Sequence, residues 1–352
     1  VTQTGHAVTD IASIINTLIV FGPVGIFAAL VSVGLIVLLM PWLKANALAR
    51  PNARSSHSTP TPQGGGAAVV IATLVTVWGA AVLLDIFPQV ISAEFLALTA
   101  AVILLAVVGA IDDMRHLSPL PRLLLQGVAI GMVVAMLPAD LRAVPILPWW
   151  LERIALFIGF MWFVNLTNFM DGIDWMTVVE AVPITGAIVL LGFLNVVSAL
   201  PALTGIALLG AILGFAPFNK PTAKLFLGDV GSLSIGLLLA WLLLRLAASG
   251  YLAAAIILPL YYLADATLTL GHRLMARDAV WQAHRSHFYQ RALDHGLTVS
   301  EVVVRVFVVN LALFALAGMT VVYDTNMVSA AALIIAVALV AWLLAVFARG
   351  KA

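Results

Sequence analysis

The sequence predicts an all-α, polytopic integral membrane protein of about eleven transmembrane helices. Three observations predict it. Of the 352 residues, 63% are hydrophobic and only 9% are charged, whereas roughly a quarter of a soluble domain is charged. Apolar segments near the ~20 residues that cross a bilayer follow one another along the chain. Basic residues fall almost entirely in alternate connections. There is no cysteine, which excludes disulfides and thiolate chemistry.

The apolar segments lie at 17–41, 66–84, 93–111, 120–137, 149–168, 177–194, 196–217, 230–247, 251–270, 303–323 and 328–347. Each suits a helix, because lipid offers no partner to an open backbone group. Gly, Pro and polar clusters divide most of them; 177–194, 196–217 and 230–247 are the least cleanly separated. The first run lacks a basic n-region and reads as a retained span, not a cleaved signal. No internal repeat is evident, and residues 1–352 read as one membrane-embedded domain. With the N-terminus outside and the C-terminus cytoplasmic, only Arg142, Arg153 and Arg245 of the 17 Lys and Arg fall outside. Every unusual polar stretch then lies on the cytoplasmic face, in loops 42–65, 112–122, 165–176, 218–232 and 271–302. One elaborate face and one plain face suit an enzyme working at the membrane surface.

In "GAIDDMRHLSPLPR" (109–122), Asp112 and Asp113 close the third segment. Adjacent like charges at a membrane boundary are costly unless a cation or an arginine offsets them; a solvated helix end is the plainer reading. "FVNLTNFMDGIDWM" (163–176) brings Asn165, Asn168, Asp171 and Asp174 together. The i, i+3 spacing of the two aspartates would project them from one helical face, while capping a turn is the plainer role. "FNKPTAKLFLGDVGS" (218–232) sets Asp229 between Gly228 and Gly231, beside Lys220, Lys224 and Phe226. The lysines suit phosphate and the aromatic suits a base; Asp229 also suits a helix N-terminus. "AHRSHFYQRALDHG" (283–296) gathers His284, Arg285, His287 and Arg291, natural ligands of a pyrophosphate. Zinc is disfavoured there, because the nearby carboxylates are oxygen donors suited to magnesium. "PNARSSHSTPTPQGGG" (51–66) offers Arg54, Ser55, Ser56 and His57 to a phosphate, with Gly64, Gly65 and Gly66 behind them. Carboxylates with magnesium and substrate phosphates are the usual means of phosphoryl transfer. Placing them at the bilayer surface allows one substrate to be a lipid.

These motifs, in this order over roughly residues 50 to 295, resemble the polyprenyl-phosphate N-acetylhexosamine-1-phosphate transferases of glycosyltransferase family 4. The resemblance implies transfer of a sugar-1-phosphate from a UDP-N-acetylhexosamine to undecaprenyl phosphate, with release of UMP. It implies a bacterial inner membrane, magnesium on the donor pyrophosphate with manganese able to substitute, and an assembly in which a homodimer is allowed. A nucleic-acid partner is not expected. Residue by residue, Asp229 matches the principal metal ligand. Asp112 and Asp113 match an acidic pair that binds metal or accepts the lipid phosphate's proton, with Asp113 the second metal candidate. Asp171 and Asp174 match carboxylates beside the nucleoside, with Asn168 nearby. Phe226 matches the aromatic that stacks on uracil, and Asn219 the asparagine of the same loop. His287, with Arg285 and His284, matches the loop that closes over the pyrophosphate.

The departures narrow the reading. Trp175 stands where many members have Gly. The loop reads "HFYQ" at 287–290, in place of a His-x-His-His run or a triple His, and no Lys is found near His57. These differences disfavour the peptidoglycan branch, which transfers phospho-MurNAc-pentapeptide. They favour members that start O-antigen or capsule chains. A transporter is the alternative of a different class, but transporters place ionisable residues near the midplane. Here Asp265 is the deepest candidate, and pairing with Arg273 or Arg277 would account for it. A non-catalytic scaffold would not need so many costly carboxylates.

Overall fold

The computed structural model describes residues 11–49, 60–115, 117–278 and 285–350, with side chains from residue 21 onward. The element order is α1 (Ile11–Asn46), β1 (Leu48–Ala49), β2 (Thr61–Pro62), α2 (Gly66–Leu83), α3 (Phe87–Val90), α4 (Ala93–Arg115), α5 (Pro119–Met136), α6 (Trp149–Met170) and α7 (Met176–Phe193). There follow α8 (Ala199–Asn219), α9 (Asp229–Ala248), α10 (Leu252–Ile257), α11 (Leu260–Met275), α12 (Phe288–Asp294), α13 (Val299–Tyr323) and α14 (Asn326–Arg349). Among the described residues, 10 helices are long and apolar enough to cross a membrane. They correspond to ten of the predicted segments. The segment predicted at 251–270 is instead two helices, α10 and α11, parted at Leu258 and Pro259. The proline ring lacks an N–H and displaces the carbonyl four residues back, which favours a break there. The Glu180 carboxylate of α7, 1% exposed, faces the Tyr262 backbone in the first turn of α11. Asn310 of α13 donates to the same carboxylate at 2.7 Å.

The bundle is built around α9. Most of its side chains are buried, Trp241 among the largest. It packs chiefly on α4 and α6, and on α2 and α10. Its even apolar coating is that of a helix enclosed on all sides. The outer helices α1, α5, α13 and α14 instead expose large apolar residues such as Leu38, Leu124, Val304 and Ile334, as lipid-facing surfaces do. Asn165 of α6 donates to Gln126 of α5 at 2.8 Å. Asn165 is therefore a packing residue and not part of the polar cluster at the end of α6.

At the far end of α4 and α9, Glu94 accepts from Trp241 Nε1 at 2.8 Å and from Arg245 at 3.1 Å. At the same end Arg142 pairs with Glu152, and Arg153 donates to the Pro138 carbonyl at 2.6 Å. The three basic residues that break the charge bias are therefore all held by local partners. Glu94→Ala would leave the indole N–H and the guanidinium without their acceptor. It is expected to lower stability by about 1–3 kcal/mol, read as a lower unfolding midpoint in detergent. Activity per folded molecule should be unchanged, since the pair sits at the end of α9 away from Asp229.

Candidate active site

The near ends of α4, α6, α8 and α9 enclose a polar cleft of ≈ 210 Å³. Asp113, Asn168, Asp171, Asp174, Asn219, Phe226 and Asp229 line it, together with Gln63. Seven residues selected from the sequence therefore share one cavity.

Asp112 and Asp113 end α4 and diverge. Asp112, 6% exposed, accepts from Leu117 N at 2.6 Å and from Arg122 at 2.8 Å. It is the arginine-offset carboxylate and fixes the α4–α5 turn; it does not itself line the cleft, but its side chain reaches the Asp229 carboxyl there. Asp113 turns the other way and accepts the Asp229 and Val230 backbone N–H groups at 3.0 and 3.3 Å. It caps the N-terminus of α9 from a neighbouring helix. Asp229 opens α9, where the helix dipole favours negative charge. Its carboxylate accepts from Asn168 Nδ2 at 2.8 Å and lies 3.7 Å from Arg122. Asn168 also donates to Ser232 Oγ at 2.9 Å.

This crowding requires two glycines. A Cβ at Gly109 of α4 would overlap the Asp229 carbonyl and Val230 N; one at Gly66 would overlap Gly231. Behind the cleft, Phe226 N donates to Pro62 O at 2.8 Å and Gly65 N to Phe226 O at 2.9 Å. Gln63 Nε2 donates to Asp113 O at 2.7 Å. The Gly-rich segment is thus a strap that holds the Phe226 loop against α4.

Asp171 and Asp174 do not project from one helix. α6 ends at Met170 and α7 begins at Met176, so both lie in the intervening turn. They still converge on the cleft. Thr177 donates to Asp171 at 2.5 Å. Burial, reinforced by the charges of Asp113 and Asp174, pushes the Asp171 carboxyl up to about 8, against the Thr177 hydrogen bond. Asp174 accepts the Ala223 N–H at 2.9 Å and so anchors the following loop. Trp175 sits at φ 64, ψ −1, the left-handed region that glycine adopts most readily. Its amide donates to Asn219 Oδ1 at 2.8 Å and its indole to Ala216 O at 2.7 Å. Asn219 also donates to Leu225 O at 3.0 Å. These bonds hold a tryptophan where the backbone suits glycine.

The His/Arg loop is placed differently from expectation. His287 is 3% exposed and is not among the described residues that line the cleft. Its Nδ1 lies 3.2 Å from Asp265 Oδ1. Asp265 therefore does not pair with Arg273 or Arg277. It faces α12, while Arg273 pairs with Asp278 at 3.7 Å. Arg285 pairs with Asp294 at 3.2 Å. His284, and Arg54 to His57, lie outside the described residues. Lys220 and Lys224 are exposed.

Among the described residues, no three His, Asp or Glu form a ready metal-binding group. Magnesium does not require one, since one or two carboxylates with substrate phosphates and waters are its usual shell. Asp113 and Asp229 border the cleft together, and an all-oxygen donor set suits that hard cation. Sequence reasoning missed Gln63, Thr177 and Ser232. Gln63 adjoins the glycine run and Ser232 closes the 218–232 motif, which were usable signals; Thr177 carried none.

Residues 95–247 match the model of the family described as "Glycosyl transferase family 4". A protein of Bacillus subtilis (strain 168), named "Probable undecaprenyl-phosphate N-acetylglucosaminyl 1-phosphate transferase", is 26% identical over 266 residues, 73% of this chain and 72% of that protein. The decaprenyl-phosphate N-acetylglucosaminephosphotransferase of Mycobacterium leprae is 30% identical over 236 residues, 62% of this chain and 59% of its own. The phospho-N-acetylmuramoyl-pentapeptide-transferase of Streptococcus agalactiae serotype III is 30% identical over 200 residues, 52% of this chain and 58% of its own. The chain thus spans less than two thirds of the last two relatives. The matched segment runs from α4 to the end of α9 and carries two of the cleft-lining aspartates, Asp113 and Asp229. With the ordered motifs around it, this makes the chain similar to glycosyl transferase family 4 across its central helices.

Proposed function

We infer that the protein transfers a sugar-1-phosphate from a UDP-N-acetylhexosamine to undecaprenyl phosphate, releasing UMP. The observation that carries this reading is the convergence of Asp113, Asp229, Asp171, Asp174 and Phe226 on one cleft at a bundle end. The cleft's place at a bundle end and the family resemblance support a reaction at a membrane boundary. An oxygen of the lipid phosphate attacks the phosphorus that bears the sugar. One P–O bond forms there, and the P–O bond to UMP breaks. A phosphate monoester is already largely ionised near neutral pH, so the attack needs no separate base. Asp113 and Asp229 would hold magnesium, which when bound supplies charge neutralisation on the phosphates. The chain's own residues orient the reactants. Asn168 fixes the Asp229 carboxylate, and Arg122 places a positive charge beside Asp112 and Asp229. Asp171 and Asp174 face the nucleoside, and Phe226 offers a ring to the base. The work is positioning and electrostatics, as phosphoryl transfer requires.

The proposed setting is a bacterial inner membrane, with the cleft facing the cytoplasm, where the basic connections lie. The proposed donor is a UDP-linked N-acetylhexosamine other than the muramyl pentapeptide, and the product starts a surface polysaccharide such as O-antigen. The "HFYQ" loop and the absent Lys and triple His support that choice. A relative named for the muramyl-pentapeptide reaction matches too, so that donor belongs in the test. Purified protein with magnesium and undecaprenyl phosphate is offered a panel of UDP-sugars and UMP is measured. Lipid-dependent UMP from one donor is expected; none from any donor, with folded protein, would sink the reading. Phe226→Ala should weaken UDP-sugar binding by about 1–3 kcal/mol through lost base stacking. Calorimetry checks it, and an unchanged affinity would remove Phe226 from the nucleotide site.

A further inference from the structure

We propose that Asp265 and His287 form a buried clasp that seats α12 against the 168–174 turn, making Asp265 a positioning residue for the cleft. This rests on the transferase reading only for its effect on turnover.

Asp265 has 0% exposure. A carboxylate so deep is costly unless hydrogen bonds surround it. From its own helix it accepts from Tyr261 and Thr269, each at 3.3 Å. Its remaining partners come from α12: the Phe288 N–H at 3.0 Å, the Tyr289 N–H at 3.1 Å and His287 Nδ1 at 3.2 Å. Phe288 and Tyr289 open α12, whose first N–H groups have no partner within the helix. A helix of 7 residues does not sustain itself, so its place is set by what holds it. The clasp is the buried polar contact on its α11 side.

The other side of α12 meets the cleft wall. Tyr289 Oη donates to the Phe169 carbonyl at 3.0 Å. A Cβ at Gly172 would overlap that hydroxyl. The His287 ring stacks on Tyr289 with centroids 5.8 Å apart. Phe169 and Gly172 flank Asn168 and Asp171, which line the cleft. Asp265 thereby reaches the site through α12 and Tyr289. His287, with its Nδ1 turned to Asp265, serves the clasp instead of touching substrate.

The protein has no cysteine, so Ala292→Cys places one thiol at a position of α12 with 0% exposure. Its labelling by a maleimide reports undocking of α12. Adding Asp265→Asn is expected to speed labelling by about tenfold or more. The same substitution should lower kcat for UMP release by about tenfold or more, with a smaller change in KM for the donor. An asparagine amide nitrogen stands where Nδ1 stands, whereas that of glutamine reaches the position of Nε2. His287→Asn should therefore keep at least about tenfold more activity than His287→Gln. Unchanged labelling and kcat in Asp265→Asn would overturn the clasp, as would His287→Asn being no more active than His287→Gln. If Asp265→Asn does not fold, the His287 pair decides by the same labelling, fast with Gln and slow with Asn. If the unaltered protein releases no UMP while labelling still accelerates, the transferase reading falls and the clasp stands.

Discussion

Asp229→Asn is expected to abolish transfer, with UMP release falling roughly 10³-fold or more, the scale seen when preorganised charge is removed from a reacting centre. The protein should stay folded. Asparagine has nearly the same volume and is itself at home at a helix N-terminus. Its side-chain oxygen can still accept from Asn168 Nδ2, and Asp113 still caps the backbone of α9. What disappears is one negative charge facing the cleft. The measurement pairs UMP release with the thermal unfolding midpoint in detergent. Full activity with an unchanged midpoint would overturn the assignment of Asp229 to the metal. A collapsed midpoint would show instead that its role is structural.

Gly109→Ala should be the most damaging conservative change. The added methyl has no room, because the backbone of Asp229 and Val230 already fills the space above Gly109. Either α4 and α9 separate or α9 slides along its axis. Overpacking of this kind costs about 1–3 kcal/mol, and both escapes shift Asp229 relative to Asp113. Displacing reacting groups by about 1 Å costs on the order of 10²-fold in rate. The expected result is a modest fall in unfolding midpoint with a disproportionate fall in kcat. An active Gly109→Ala protein would mean that the α4–α9 contact is softer than the structure shows.

Much of the fold was readable because lipid simplifies the code. Ten spans follow from apolar length alone, since no other structure satisfies the backbone there. The break within the segment at 251–270 was not legible because its composition is uniformly apolar across it. Pro259 was visible, but whether a proline kinks or parts a helix depends on its neighbours. The carboxylates were legible for the same reason as the spans, since a costly residue in an oily chain must serve something. Their directions were not. Consecutive aspartates diverge because Arg122 attracts one and the open end of α9 attracts the other. Asp171 and Asp174 carry helical spacing but sit in a turn that continues through a left-handed Trp175. His287 showed as a donor, yet its partner lies 22 positions back on another helix, a pairing that no local pattern encodes.

The enclosure of α9 bears on how the protein is built. α2, α4 and α6, which form most of its wall, all precede it in the chain; of its main neighbours only α10 follows. A chain threaded into the membrane from its N-terminus therefore delivers α9 to a socket already standing. The described residues that line the cleft also end at Asp229. The cleft carboxylates Asp113 and Asp229 come together as α9 enters, before the helices that carry the α12 clasp exist. Synthesis thus lays down the chemical centre first and its restraint last.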